Sequence, residues 1–328
     1  MAEKNYLLGV DAGNTVIKAV LFDTEGHQVA QCAIDGHSSF PEAGHVERDL
    51  AELWQNGCTA LRQVISTSGV DPRKVLGIGC AGHGNGLYLL DRALQPLKGI
   101  QSLDNRAADI AAELDRENGA ALQARCLQRP WPAQTPSLLA WIRRHAPDIY
   151  ARIGAVLFCK DYINYRLTGR LTNDVSDLSG AGLLAMPQAT LDEELLGLYH
   201  LEDALPFFPE RVQSADIVGH VTAGAARSTG LAEGTPVIGG FFDVVSSAMG
   251  SGVIHPGEAS VIAGTWSINQ VFADRPVISP DVFMVATFGE GRYVNIESSA
   301  TSAANLEWYV HRLRGDHGQE AFERCNAA

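Results

Sequence analysis

The chain has 328 residues, 46% of them hydrophobic and 19% charged, with a formal net charge of -13 at pH 7. That length admits two domains, and that composition is ordinary for a globular protein. The acidic balance argues against nucleic acid or an anionic membrane surface as a partner, because no basic region is concentrated enough to offset phosphates.

The stretch Leu7–Asp23, LLGVDAGNTVIKAVLFD, predicts two β-strands, Tyr6–Val10 and Val16–Phe22. The turn between them, Asp11-Ala12-Gly13-Asn14-Thr15, carries a carboxylate, a glycine that admits a ligand close to the backbone, and a hydroxyl, with Lys18 just beyond. Such a turn is either an ordinary hairpin with a polar tip or an anion-binding concavity whose carboxylate holds Mg2+. Gln28–Ile34 predicts a third strand and residues 38–49 a loop. Asp49 reads as the N-cap of a helix running to about Ser66, with Leu50, Leu53, Trp54 and Leu61 on one stripe. Val75–Cys80 and Leu87–Asp91 read as strands on either side of the glycine-rich Gly82–Gly86. Ala107–Asn118 and Thr135–His145 read as helices, the second stopped by Pro147, and Val156–Leu167 mixes strand and helix signals before Thr168-Gly169. Ile217–Val221 and Pro236–Gly240 predict strands and Val244–Gly252 a helix. Glu258–Gly264 and Ile268–Phe272 predict two last strands around Thr265-Trp266-Ser267. A strand, a polar turn and a second strand thus occur twice, at 7–23 and 258–272. This predicts two related halves, each offering a phosphate-facing hairpin to a shared cleft, with a boundary near Asp243.

Six cysteines, at 32, 58, 80, 126, 159 and 325, include no CxxC pair and read as reduced thiols of a cytoplasmic protein. Cys80 and His83 have zinc-like local spacing, but no second pair accompanies them. No run approaches the ~20 apolar residues of a membrane span, and the N-terminus has no signal-peptide layout.

Gly77-Ile78-Gly79-Cys80-Ala81-Gly82 matches GxGxxG by letter. A dinucleotide fingerprint needs a helix opening on the third glycine, whereas here more glycines and then the strand-like LYLLD follow. His83 sits on a loop whose glycines let a ligand come close. Asp104 and Arg106 are either a helix-capping acid with a surface arginine or groups that hold hydroxyls of a polyol. Asp243 follows the buried strand Pro236–Gly240 and directly precedes a helix. It is either an N-cap carboxylate or, beside Phe241 and Phe242, a base with a raised pKa that accepts a proton from a hydroxyl nucleophile.

In their order and spacing these segments resemble the FGGY family of carbohydrate kinases, within the actin/hexokinase-type ATPase superfamily. Leu7–Asp23 resembles the family's first phosphate loop, and Gly264-Thr265-Trp266 its second. Gly44-His45-Val46-Glu47-Arg48-Asp49 resembles its GWVEQD-like segment, and Gly82-His83-Gly84 stands where xylulose kinases carry a sugar-contacting Met-His. Leu103-Asp104-Asn105-Arg106 resembles the WNDxR segment. Lys160-Asp161-Tyr162 with Leu167-Thr168-Gly169 resembles KDYLxxxLTG, and Asp174-Val175-Ser176-Asp177 the TDxSDASG region. Gly239–Asp243 resembles the GGxxD segment that supplies the catalytic base. Ser102 replaces a common tryptophan, and Leu138 a common lysine. Both departures, with Phe242-Asp243-Val244-Val245-Ser246 and Asn305-Leu306-Glu307-Trp308, look like L-xylulose kinases; erythritol-type polyol kinases share parts of the pattern. Family members continue beyond position 328, so the chain is expected to be a fragment, with a first domain at 1–243 and the opening of a second at 244–328.

The resemblance implies an α/β, actin/hexokinase-like (ribonuclease H-like) fold, with a mixed sheet, flanking helices and an incomplete second domain. It implies ATP-dependent phosphorylation of a primary hydroxyl of a ketopentose, most closely L-xylulose, with ATP and Mg2+. Asp243 would be the general base, and His83, Asp104, Arg106 and Asp243 would bind the sugar. Asp11 would position Mg2+. Gly13, Asn14, Thr15, Lys18, Gly264 and Thr265 would meet the nucleotide's phosphates. The partner would be a small sugar or polyol, with no nucleic acid or membrane, and a homodimer stays open. Erythritol, another polyol or D-xylulose are alternative substrates; an actin-like or sugar-sensing ATPase is the alternative from a different class.

Overall fold

A computed structural model describes residues 5–263, 267–279, 281–289, 291–299, 302–318 and 320–326. The opening hairpin forms as its pattern predicts. β1 (Tyr6–Ala12) and β2 (Val16–Asp23) pair antiparallel, with Asp11 opposite Lys18 and Ala12 opposite Ile17. Successive side chains of a strand alternate between faces. Leu8, Val10 and Ala12 therefore share one buried face with Ile17, Ala19 and Leu21. The helix Leu50–Ser68 packs there through Leu53, Leu61 and Val64, all buried in one core with these strands. Burial of each such side chain contributes roughly 1.5–3 kcal/mol. Asp49 caps this helix as its sequence predicts, accepting from Ala51 N at 2.6 Å and Glu52 N at 3.0 Å.

The hairpin belongs to a mixed sheet. β3 (Gln28–Asp35) extends it antiparallel to β2. β4 (Val75–Gly82) runs parallel to β1, and β5 (Ile217–His220) and β6 (Pro236–Ile238) complete the order β5-β6-β4-β1-β2-β3. The short β7 (Phe241–Phe242) also runs parallel to β4, in register with its last two residues. The GxGxxG letters thus lie inside a central strand, and the next regular element is the strand Leu87–Asp91. Gly240 joins β6 to β7 with φ +80, where a side chain is strained, and a Cβ there would collide with the Cys80 carbonyl.

A second, antiparallel sheet takes Ser38–Ser39, Glu47–Arg48, Pro96–Ile100, Leu87–Asp91 and Ile153–Leu157 in that spatial order. Helices Ala108–Cys126 and Thr135–His145 share a separate core with it. Three expectations are corrected here. The loop expected at 38–49 carries two short strands, because Glu47 pairs with Ile100. The helix expected at Ala107–Asn118 continues to Cys126, since Leu122 and Cys126 are buried. The mixed segment resolves into the strand Ile153–Leu157 and the helix Cys159–Thr168.

The second predicted hairpin also forms. Ala259–Ala263 pairs antiparallel with Ser267–Ala273 in a four-stranded sheet with Tyr293–Ser299 and Met284–Thr287. Its turn, with Gly264 and Thr265, lies outside the described residues. This sheet docks on the short helix Val175–Gly180, where Thr287 N donates to Ser179 Oγ at 2.8 Å. Among the described residues, no helix is long and apolar enough to cross a membrane.

Candidate active site

Three parallel strands end side by side. β4 carries Ala81 and Gly82 in register with Asp11 and Ala12 on one side, and with Phe241 and Phe242 on the other. The chain leaving β1 is the predicted phosphate turn, and the chain leaving β7 is Asp243. A cavity of about 260 Å³ lies against these ends. Its polar lining is Asn14, His83, Asn85, Ser102, Asp243 and Ser298. Its apolar lining includes Leu103, Trp131, Phe242, Phe283, Met284 and Ile296. Of the sequence-predicted site residues, the cavity thus brings together Asn14, His83 and Asp243.

Asp243 is the first residue of the helix Asp243–Gly250. The expected N-cap role is corrected: the capping position is Phe242, and no side-chain capping bond forms. The carboxyl is left to face the cavity. Burial pushes its pKa up to about 7, and the negative charge of Asp11 adds to this, while the Val244 amide pulls the other way. The side chain is half-buried beside a mostly apolar cavity, surroundings that disfavour its charged form. Burial also raises Asp11, against the pull of the Lys18 ammonium directly across the hairpin. Lys18 itself is exposed. Two neighbouring carboxylates that each gain from added positive charge suit a divalent cation.

The turn between β1 and β2 offers donors. Gly13 N is used within it, donating to Val16 O at 3.1 Å. Among the described residues, the amides of Asn14 and Thr15 donate to nothing. A Cβ on Gly13 would lie 3.0 Å from Val16 O, so a side chain would crowd the turn. Asn14 Nδ2 donates to Ser102 Oγ at 3.0 Å, and its Oδ1 is buried without a partner. This donor set fits phosphate oxygens.

His83 is buried and neutral. Burial pushes its pKa down to about 4, with the Gly84 carbonyl opposing and the Arg48 cation assisting. With Nδ1 protonated towards Gly84 O at 3.4 Å, Nε2 accepts from the Tyr88 hydroxyl at 2.7 Å. Its ring orientation is thereby fixed.

Asp104 and Arg106 do not line the cavity; their neighbours Ser102 and Leu103 do. Asp104 Oδ1 accepts from Arg106 N and Nε, and Oδ2 accepts from Val46 N and the Arg106 guanidinium. Arg106 also reaches Glu47 Oε1 at 2.8 Å and lies over the Trp141 ring. Both side chains are buried and committed to this network.

Two features escaped the sequence reading. Trp131, on the cavity wall, has a buried indole N–H without a partner. The second is a buried ionic cluster. Lys160 Nζ lies 2.7 Å from Asp161, 2.6 Å from Asp174 and 2.9 Å from Asp177, all four side chains fully buried. Burial alone would lower the lysine's pKa, but the three carboxylates raise it well above its usual value. The three acids could hold a metal by spacing, but the ammonium fills their centre. Asp174 Oδ2 accepts from Ser176 Oγ and Ser214 Oγ, both at 2.6 Å. Ser176 Oγ in turn accepts from Phe242 N at 2.9 Å, and Ser214 O accepts from Gly240 N at 2.8 Å. Asn164 Nδ2 holds Gly239 O at 2.8 Å. The segment that presents Asp243 is therefore anchored to a buried charge cluster. The signals were the letters Lys160-Asp161 and Asp174-Val175-Ser176-Asp177, whose convergence is tertiary.

Comparison with known proteins identifies the family. Residues 6–250 match the N-terminal domain of the FGGY family of carbohydrate kinases. A probable L-xylulose kinase of Pasteurella multocida is 36% identical over 319 residues, covering 95% of this chain and 66% of that protein. The L-xylulose/3-keto-L-gulonate kinase of Escherichia coli is 36% identical over 335 residues, covering 98% and 65%. The crystal structure of xylulose kinase from Rhodospirillum rubrum superposes with a TM-score of 0.92 at 28% identity, over 98% of this chain and 66% of that one. The chain thus spans just under two thirds of the length of these relatives. It has their actin/hexokinase-like fold, and it belongs to the FGGY family of carbohydrate kinases.

Proposed function

We propose that the protein transfers the γ-phosphoryl group of ATP to a primary hydroxyl of a neutral ketopentose, most closely L-xylulose. The observation that carries this reading is the Asp243 carboxyl, set on a helix start beside the cavity with a pKa raised to about 7. A base with that pKa is half-ionised near neutral pH and can accept the hydroxyl proton as the oxygen attacks. Asn14 would meet a substrate hydroxyl through its unpartnered Oδ1, and His83, held by Tyr88 at Nε2, would exchange its long 3.4 Å contact to Gly84 O for a substrate hydroxyl. Asp104 and Arg106 would serve the sugar by holding the Ser102–Leu103 segment. The Asn14 and Thr15 amides, with Gly13 leaving room and Lys18 adding charge, would cradle phosphate oxygens; Gly264 and Thr265 would do so from the second hairpin. Asp11 would hold Mg2+, which supplies charge neutralisation for the phosphoryl group when bound. The division into a sugar-binding part at 1–243 and a nucleotide-binding part from 244 follows the same reading, as does a cytoplasmic location.

The lining also bears on substrate charge. It contains no lysine or arginine among the described residues, and its one ionisable acid is Asp243. That favours a neutral sugar over a carboxylated one such as 3-keto-L-gulonate, whose charge would go unpaired. The test is a panel of L-xylulose, D-xylulose, 3-keto-L-gulonate and erythritol with ADP release as readout. Turnover highest on L-xylulose supports the reading. Turnover only on a carboxylated sugar, or ATP hydrolysis indifferent to every sugar, overturns it.

A further inference from the structure

Arg48 is 3% exposed, yet no carboxylate lies within ion-pair distance of it among the described residues. Its neighbour Glu47 is spent on Lys98 and Arg106, and Asp49 caps the following helix. A buried guanidinium without a counter-charge is costly to keep. Its NH1 group donates to Asn14 O at 2.9 Å and approaches Gly13 O at 3.4 Å, while Nε and NH2 find no partner. Room for it is kept by Gly36, where a Cβ would collide with the guanidinium.

The carbonyls of Gly13, Asn14 and Thr15 at the tip of the β1–β2 turn are therefore each held. Arg48 holds those of Gly13 and Asn14, Gln101 Nε2 also holds Asn14 O, and Gly36 N holds Thr15 O at 2.7 Å. In a planar trans peptide the C=O and the following N–H point in opposite directions. Fixing the carbonyls of Gly13 and Asn14 towards Arg48 thus turns the amides of Asn14 and Thr15 away from it. These are the two amides that donate to nothing among the described residues. The missing counter-charge and the waiting donors lie on the two sides of one turn.

We propose that Arg48 is a positioning residue for a nucleotide phosphate at the β1–β2 turn: it aims the Asn14 and Thr15 amides at the phosphate and supplies the buried positive charge that the phosphate completes. This rests on the reading of that turn as a nucleotide site. Low local dielectric lets the charge act through the turn without contact. A purely structural clamp would need only a donor; an electrostatic one needs the charge.

Calorimetric titration of ADP into the 328-residue chain separates these. Arg48→Gln keeps a donor and should weaken ADP about tenfold, equivalent to ~1.4 kcal/mol, whereas Arg48→Lys should stay close to the parent. ADP binding unchanged in Arg48→Gln, or equally weakened in both variants, overturns the proposal. Should the variants misfold, amide NMR of the parent chain decides: ADP should shift the Asn14 and Thr15 amides, and bound ADP that leaves them unmoved overturns it. ADP bound at those amides with no phosphoryl transfer to any sugar supports the role of Arg48 and overturns the kinase reading alone.

Discussion

The Phe242 ring packs directly on the bare Cα of Gly84, so closely that a Cβ there would collide with ring atoms Cε2 and Cδ2. The two residues flank the cavity and tie the His83 loop to the strand end that presents Asp243. Gly84→Ala should therefore push the ring and its neighbour out of place. Overpacking of this kind costs ~1–3 kcal/mol. Thermal melting should show that loss, and kcat should fall further than partial unfolding explains, because Asp243, the proposed base, moves with the ring.

Asp243→Asn should fold and bind sugar while losing ~10²–10⁴-fold in kcat, the scale of a general base. Steady-state ADP release, with sugar binding followed by calorimetry, measures both. Near-parental turnover would remove Asp243 from the role of base.

The raised pKa of Asp243 sets a pH profile. A base must be ionised, so kcat/KM should rise with pH through about 7 and level off above it. Asp243→Asn should lack this limb.

Stability carries the opposite sign. The folded state holds the Asp243 proton up to about pH 7, while the unfolded chain loses it near 3.8. Folding is thus favoured by this group at low pH, and that contribution is lost as pH rises from about 4 to about 7. Asp11, also raised, acts in the same direction. Melting temperatures of the parent and Asp243→Asn should converge near pH 4, and the variant's advantage should grow up to about pH 7 and then level off.

Lys160→Met should be severe. It removes the ammonium from among three fully buried carboxylates, and breaking a buried ion cluster in this way costs ~3–5 kcal/mol. Ser176→Ala tests the link to the site more gently. It leaves the cluster's lysine in place but strips Phe242 N of its acceptor. Denaturant unfolding should show a loss of ~1–3 kcal/mol for that buried amide, accompanied by a fall in kcat.

Local chemistry made much of this legible in the letters. Strand alternation and the Gly-Asn turn announce the first hairpin, and Asp49 announces its helix, since each depends on neighbours within a few residues. Asp243 was findable because a strand, two glycines and a helix bracket it. Long-range convergence was not legible. Lys160, Asp174 and Asp177 meet only after a strand and a helix turn fold them together. Asp104 and Arg106 carry side chains that suit hydroxyls, but proximity satisfied them with each other first. Trp131 drew no reading from the letters, because nothing in its neighbours reveals that its N–H lacks a partner.

The register at Gly82, paired with Ala12 on one side and Phe242 on the other, acts as a ruler. Adjacent strands are spaced about 4.8 Å apart by their backbone bonds, so the turn after β1 and the Asp243 carboxyl, proposed to hold the phosphate and to act as the base, are held two strand widths apart by backbone hydrogen bonds. Other walls of the cavity come from elsewhere, from Ser102, Trp131 and Phe283. Under the proposed function, changes to those side chains would redirect which sugar is accepted while the reach from phosphate to hydroxyl stays the same, so selectivity and chemistry would be separable variables.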